Sequence, residues 1–325
     1  MAVERPSVAL FSRVPMLFST LKDRFPKLVL QQIKQDEKNI PEKLNSADVV
    51  IADFDAVAPY LFDLTNVKWL QGTWAGIEPV IKAYNKRKET LSYPIVRFSG
   101  QHFGHLMSEY VVSQIVAFER DFKNVWQAQK LQCWRQEGKV RNYNAIGDMK
   151  VTILGVGNIG AHVAKVLKCL GAEIFGLVSK TPVKKSDAVD KYVLMNELDD
   201  VLRKSDVIIN ILPSTDKTLG LLNVERLSKC KGALFVNIGR GSITTESCLL
   251  EALESGFLRG AILDVFTEEP LAPGSPLWTH PQVVITPHVA GVTRAKDVAD
   301  QFAFNLKEWE AGRKLPNCVN FEKGY

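Results

Sequence analysis

Three short stretches carry side chains able to do chemistry, and each closes an apolar run. LFVNIGRGSI holds Arg240, AILDVFTEEPL holds Asp264 and Glu269, and VVITPHVAG holds His288. The apolar runs read as strands. In an open parallel sheet, ligands bind beyond the carboxyl ends of the strands. An Arg, a Glu and a His placed there can converge on one ligand. Arginine brings a planar fork of permanent charge, and imidazole titrates near working pH.

A second set of residues reads as a nucleotide turn. KVTILGVGNIGAHVAKVLKCLG is a strand, then Gly155-x-Gly157-x-x-Gly160, then a helix. Gly155 permits the tight turn, Gly157 lets a pyrophosphate approach the backbone, and Gly160 allows close packing of helix on strand. The N–H groups at the helix start then face phosphate. The next strand, AEIFGLVS, would end in an acid if it bound the ribose hydroxyls of NAD. That place falls at Val178, and Glu173 sits at the wrong end. Ser179, Lys180 and Thr181 follow instead. A hydroxyl and an ammonium hold a 2′-phosphate, which a carboxylate would repel. The expected cofactor is therefore NADP(H), with NAD(H) bound more weakly.

The elements that must carry these residues are legible as alternation. SVALFS, DVVIADF, VKWLQGTW and PIVRFS read as strands in the first hundred residues. KVTILGVG, AEIFGLVS, VIINILP, ALFVNIG, GAILDVF and VVITP read as strands in the second half. Continuous apolar runs suit parallel strands buried on both faces, and alternation with helices gives an α/β architecture. Residues 102–136 hold no Pro and read as one long helix or two nearly continuous ones. RAKDVADQFAFNLKEWEAG reads as an amphipathic helix from Arg294, ending at Gly312 with Pro316 beyond.

Bulk properties narrow the class. The chain has 325 residues, 46% hydrophobic and 24% charged, with net charge +5 and no dense basic block. Solvated surface, and no nucleic-acid partner, is the reading of that charge. The five cysteines, at 133, 169, 230, 248 and 318, form no CxxC pair, and no His stands at metal-ligand spacing from them. Reduced thiols and no metal site are expected. No run approaches transmembrane length and the start lacks an apolar leader, so a cytoplasmic protein without a membrane partner is expected.

The whole pattern resembles the D-isomer-specific 2-hydroxyacid dehydrogenase family. The glycine turn, ILPSTDKTLGLLN, NIGRGSI, LDVFTEEPL and TPHVAG occur in the family's order and spacing. IVRFSGQHFGHLMSEYVVSQI is similar to its NADPH-preferring glyoxylate/hydroxypyruvate reductase A branch. The resemblance implies roles. Arg240 binds the substrate carboxylate and 2-keto oxygen, and His288 gives that oxygen a proton as hydride reaches C2. Glu269, which precedes Pro270 as the family's functional Glu does, bonds the other ring nitrogen; Glu268 reads as solvated. Asp264 helps to hold the nicotinamide carboxamide. Asn158, Ile159, Leu212, Pro213, Thr218, Ile238 and Gly291 join the cofactor groove. QGTWAGIEP supplies a second carboxylate anchor through N–H groups near Ala75 and Gly76, with Trp74 as a pocket wall. Arg97 is expected nearby, or else in a salt bridge. Trp134 ends the long helical arm and closes the partner's site, or else packs an interface. The other histidines, His102, His105, His162 and His280, read as packing or solvated.

The fold implied is two Rossmann/flavodoxin-like parallel-sheet domains, the cofactor domain inserted into the substrate domain. Residues 1–101 and 291–325 form the substrate domain, and 102–290 the NADP-binding domain with a dimerisation helix at 102–136. Crossings near 101 and 291 act as a hinge whose closure expels water. The expected activity is NADPH-dependent reduction of a small 2-oxo acid, by a homodimer. The alternative is a cofactor-sensing interaction protein resembling the C-terminal binding proteins, which keep the Arg–Glu–His set. This chain lacks their long polar tail and a nuclear-type basic block. A formate-dehydrogenase-like reading is weaker still, because it expects a different pocket lining.

Overall fold

The apolar runs form two separate parallel sheets in the structure, a computed structural model that describes residues 6–322 without the side chains of Gln101 and His102. The expectation for His102 therefore lies outside the described residues. The chain divides into two compact units: Met1–Gly100 with Thr293–Tyr325, and Gln101–Val292.

The first unit contains β1 (Val8–Phe11), β2 (Leu30–Gln32), β3 (Val49–Ala52), β4 (Trp69–Gly72) and β5 (Ile95–Val96). They pair in the order β2-β1-β3-β4-β5, all parallel. β1, β3 and β4 are buried at every position, which is why their sequences are nearly unbroken apolar runs. β2 was not foreseen. It is a three-residue edge strand, Leu-Gln-Gln, and its side chains are largely exposed. The helix Ala295–Glu310 returns to this unit because its apolar stripe fits there. Phe302 stacks on Trp69 with ring centroids 5.8 Å apart and meets Phe25 edge-on at 5.2 Å. Buried Asn305 donates to Gln71 Oε1 at 3.0 Å.

The second unit contains β6 (Lys150–Leu154), β7 (Glu173–Leu177), β8 (Lys191–Val193), β9 (Val207–Asn210), β10 (Ala233–Asn237), β11 (Leu258–Leu263) and β12 (Val283–Ile285). Their order is β12-β11-β10-β9-β6-β7-β8, again all parallel. Strand order reverses at β6 and β9, the place where open parallel sheets of this kind bind their ligands. β8 is a second short edge strand that the apolar pattern did not reveal.

Over 102–136 the second of the two expected forms occurs, two nearly continuous helices, but the helical stretch ends short of 136. Two helices form, Gln101–Glu119 and Phe122–Lys130, broken where Asp121 takes φ 54°. The second stops at Lys130: the Cys133 N–H folds back to the Ala128 carbonyl and Gln132 takes φ 54°. Trp134 thus lies in irregular chain past the helix, 89% exposed. Val111 and Ile115 are fully buried within this unit. Within residues 103–136 the large apolar side chains left exposed belong to the second helix and the chain after it: Trp126, Leu131 and Trp134. Among the described residues no helix is long and apolar enough to cross a membrane.

His105 and His162 meet, which their separate positions in sequence did not suggest. Nδ1 of His105 lies 3.0 Å from Nε2 of His162. Partial burial, then His105 and Lys165, hold the His162 ring below its usual value of 6.5. A histidine with a depressed folded value contributes stability that is present above its unfolded value and lost as pH falls through the folded one. The thermal unfolding midpoint should therefore fall as pH is lowered below about 6.5, and His162→Gln should flatten that fall. Superimposable pH profiles would remove the pair from the acid response.

Candidate active site

Arg240 is placed by two buried amides. Asn210 closes β9 and Asn237 closes β10, and they are 0% and 1% exposed. Asn210 Nδ2 donates to Asn237 Oδ1 at 2.8 Å, and both Nδ2 groups reach the Arg240 carbonyl, at 3.4 and 3.2 Å. Asn210 Oδ1 accepts from Leu212 N at 3.1 Å, and Asn237 Oδ1 from Gly239 N at 3.3 Å. Buried polar groups of this kind persist only when paired. The pair cross-links two strand ends and fixes the backbone on which Arg240 sits. The half-buried guanidinium donates from Nη1 to the Gly239 carbonyl at 2.7 Å. Gly241 follows because a Cβ there would overlap the backbone of Phe266, so this loop lies against the one leaving β11.

The loops after β11 and β12 bring the acid and the base together. Glu269 Oε2 is 2.7 Å from His288 Nδ1, and Glu269 Oε1 accepts from Phe266 N at 2.9 Å. Glu269 rather than Glu268 is the acid that reaches the ring. A carboxylate only accepts, so Nδ1 carries the hydrogen and Nε2 is the nitrogen turned outward. The imidazole side chain is 55% exposed and can exchange protons with solvent.

His288 adopts φ 55°, a left-handed conformation that costs a non-glycine residue about 1–2 kcal/mol. The surroundings hold it there. Its N–H donates to the carbonyls of Asp264, at 2.9 Å, and Thr286, at 3.1 Å. The Asp264 carboxylate, 1% exposed, accepts from Thr286 Oγ1 at 2.5 Å and from Val289 N and Ala290 N at 2.9 Å each. Asp264 was expected to serve the nicotinamide. Its carboxylate here grips the turn on both sides of His288.

The glycine turn fits a dinucleotide. Gly155 has φ 100°, and a Cβ at Gly157 would meet nothing within 4 Å, so the backbone there is open to approach. A Cβ at Gly160 would overlap the Gly155 carbonyl oxygen, so this glycine closes the turn as well as packing on β6 through Ile153. The helix Asn158–Cys169, which Asn158 and Ile159 open, has no acid in its first turn and no side-chain cap. The helix's own first turn thus carries no carboxylate to offset its N-terminal charge. Past β7, Ser179, Lys180 and Thr181 are exposed, and no acid occurs between residues 174 and 186.

Other expected cofactor residues divide. Leu212 and Pro213 follow β9, and Leu212 Cδ2 would lie 3.1 Å from a Cβ at Gly155. Ile238 follows β10 and is 4% exposed. Thr218 Oγ1 bonds the Pro213 carbonyl at 2.6 Å and accepts from Thr215 N at 2.9 Å, so its hydroxyl shapes the 213–218 turn. Gly291 makes room for Phe103 and Met107, whose atoms would lie 2.8 and 2.7 Å from a Cβ there.

In the first unit, Trp74, Ala75 and Gly76 form a half-buried bend between β4 and the helix Glu78–Arg87. The N–H groups of Ala75 and Gly76 donate to no acceptor among the described residues. Arg13 sits over the Trp74 ring, 5.6 Å from its centroid. Its Nε donates to Asp53, a fully buried carboxylate that also takes Thr73 Oγ1 at 2.6 Å. Arg97 follows β5, its backbone pinned to Asn317 and Gln301. Sequence reasoning missed Asn210, Asn237 and Thr286. A polar residue closing an otherwise apolar run, as in VIIN and ALFVN, was the available signal.

Known proteins similar to this chain place it in a family. The family pattern described as D-isomer specific 2-hydroxyacid dehydrogenase, NAD binding domain, matches residues 112–290. Glyoxylate/hydroxypyruvate reductase A from Salmonella paratyphi B is 37% identical over 256 residues, which span 77% of this chain and 80% of that protein. A D-isomer specific 2-hydroxyacid dehydrogenase from Xanthobacter autotrophicus Py2, solved with NADPH and MES, superposes with TM-score 0.85 at 27% identity, covering 99% of this chain and 100% of that one. The NADPH-dependent glyoxylate/hydroxypyruvate reductase from Sinorhizobium meliloti, solved with NADP and sulfate, gives TM-score 0.83 at 25% identity, covering 99% and 100%. With the family pattern spanning more than half of its length, this chain belongs to the D-isomer specific 2-hydroxyacid dehydrogenase family.

Proposed function

We propose that the chain reduces small 2-oxo acids, glyoxylate and hydroxypyruvate among them, to D-2-hydroxy acids. It is an oxidoreductase acting on the CH–OH group, and its cofactor is NADP(H). The observation that carries the reading is the 2.7 Å contact between His288 Nδ1 and Glu269, on the strand ends that also bear Arg240. NADPH, when bound, supplies the hydride that reaches C2. The chain supplies the rest. The Arg240 fork holds the carboxylate and polarises the keto oxygen. His288 Nε2 gives that oxygen its proton and regains one from solvent. Glu269 keeps the ring in the tautomer and orientation that present Nε2.

The second unit acts as the cofactor domain. Its Gly155–Gly160 turn receives the pyrophosphate on backbone N–H groups, and Leu212, Pro213, Ile238 and Gly291 border the groove. In the first unit the N–H groups of Ala75 and Gly76 anchor the substrate carboxylate, Trp74 walls the pocket and Arg97 adds positive charge. The exposed Trp126, Leu131 and Trp134 form the contact surface of a cytoplasmic homodimer. Sedimentation as a monomer at micromolar concentration would contradict that assembly.

The activity is tested by following NADPH oxidation with a panel of 2-oxo acids. Turnover on the two- and three-carbon acids is expected. Peptide binding with no turnover on any acid would favour the interaction-protein alternative. Lys180→Asp tests the cofactor. It places a carboxylate where the 2′-phosphate is held, so preference for NADPH over NADH should fall by about 10- to 100-fold, as for loss of one charge-assisted contact plus repulsion. An unchanged ratio would mean that the loop after β7 does not read the phosphate.

A further inference from the structure

His288 keeps its left-handed backbone only while the turn around it is gripped, and the grip is the buried carboxylate of Asp264. That carboxylate accepts only, so the Thr286 hydroxyl at 2.5 Å must donate to it. The Thr286 oxygen then keeps lone pairs and no proton. Tyr110 Oη lies 2.6 Å from it, so the phenol must be the donor. Counting protons alone fixes the order Tyr110 to Thr286 to Asp264.

Tyr110 comes from the helix Gln101–Glu119. Burial pushes its hydroxyl up to about 12, with the Thr286 bond pulling the other way and Asp264 adding to the rise. It remains a donor at every working pH.

We propose that Tyr110 is a positioning residue for His288: its hydroxyl locks the rotamer in which Thr286 serves Asp264, and Asp264 holds the turn that presents the imidazole. This rests on the reading of His288 as proton donor. The Tyr110 hydroxyl bonds Thr286 and acts on the ring through it, so on this reading its loss acts on the reacting geometry and not on binding.

The test uses the full-length protein. Tyr110→Phe should lower kcat about five- to tenfold, the worth of one buried hydrogen bond. KM for the 2-oxo acid and Kd for NADPH should stay within about twofold, as a role exerted through Thr286 and Asp264 requires. Thr286→Ser, which keeps the hydroxyl, should retain nearly full kcat, and Thr286→Val should lose more than Tyr110→Phe. An activity-free readout is the nitrogen-edited NMR signal of the His288 Nδ1 proton in protein without cofactor. It should be single and sharp in wild type and Thr286→Ser, and broadened or doubled in Tyr110→Phe. Thermal unfolding separates misfolding from misplacement; should Thr286→Val fail to fold, the Tyr110→Phe and Thr286→Ser pair decides. A Tyr110→Phe variant with wild-type kcat and an unchanged signal, or one altered only in KM, overturns the positioning role. If His288→Ala is inactive in the same assay, that role alone falls. If His288→Ala turns over normally, the reading beneath it falls as well.

Discussion

Replacing His288 by alanine lowers turnover by about 10²- to 10⁴-fold, the usual contribution of a positioned general acid. NADPH binding stays unchanged, because the imidazole hangs from the loop after β12 while the glycine turn follows β6. Structure around the site should also survive. The ring is 55% exposed, and the grip on the turn comes from backbone N–H groups that alanine retains. Relief of the left-handed strain is not expected, since alanine at φ 55° is no better placed than histidine. Steady-state kinetics beside a titration of NADPH fluorescence checks both halves. Near-normal turnover with cofactor bound would remove His288 as proton donor.

Arg240→Lys keeps the charge and discards the fork. Two parallel charge-assisted bonds become one point contact, so kcat/KM for the 2-oxo acid should fall by about 10²- to 10³-fold. The loss should be split. The carboxylate contact is present in the ground state and appears in KM, whereas the bond to the keto oxygen strengthens as charge develops and appears in kcat. The backbone should not move, because the buried Asn210–Asn237 pair grips the residue-240 carbonyl and not its side chain. A loss confined to tenfold would mean that charge alone is enough there.

Much of this arrangement was legible in the letters. Strands buried on both faces, such as VVIA and ALFVN, must be apolar throughout, so they announced themselves. Strands exposed at a sheet edge need not be apolar, so Leu30–Gln32 and Lys191–Val193 stayed hidden. The chain between Leu131 and Gln136 reads as helix by composition, yet Asp121 and Gln132 take left-handed conformations that no residue type requires. Chemistry-bearing side chains were recognisable because few residue types can do their work. Arg240, Glu269 and His288 are such side chains. The residues that steady them were not, since Thr286, Asn237 and Tyr110 could equally have been ordinary polar or packing residues. Their effect depends on which strand end or helix turn stands opposite, and spacing along the chain does not carry that information. Asp264 shows the same limit from the other side: it was singled out for the nicotinamide, whereas its carboxylate grips the 286–290 turn.

A crystal structure of the ternary complex with NADP and oxamate, a non-reducible stand-in for a 2-oxo acid, bears most directly on the whole account. The guanidinium of Arg240 and Nε2 of His288 should both lie within about 3 Å of oxygens on the same oxamate, with the nicotinamide ring against its amide carbonyl carbon. An oxamate held by one of these side chains while the other faces bulk water would contradict the assignment of the reacting centre.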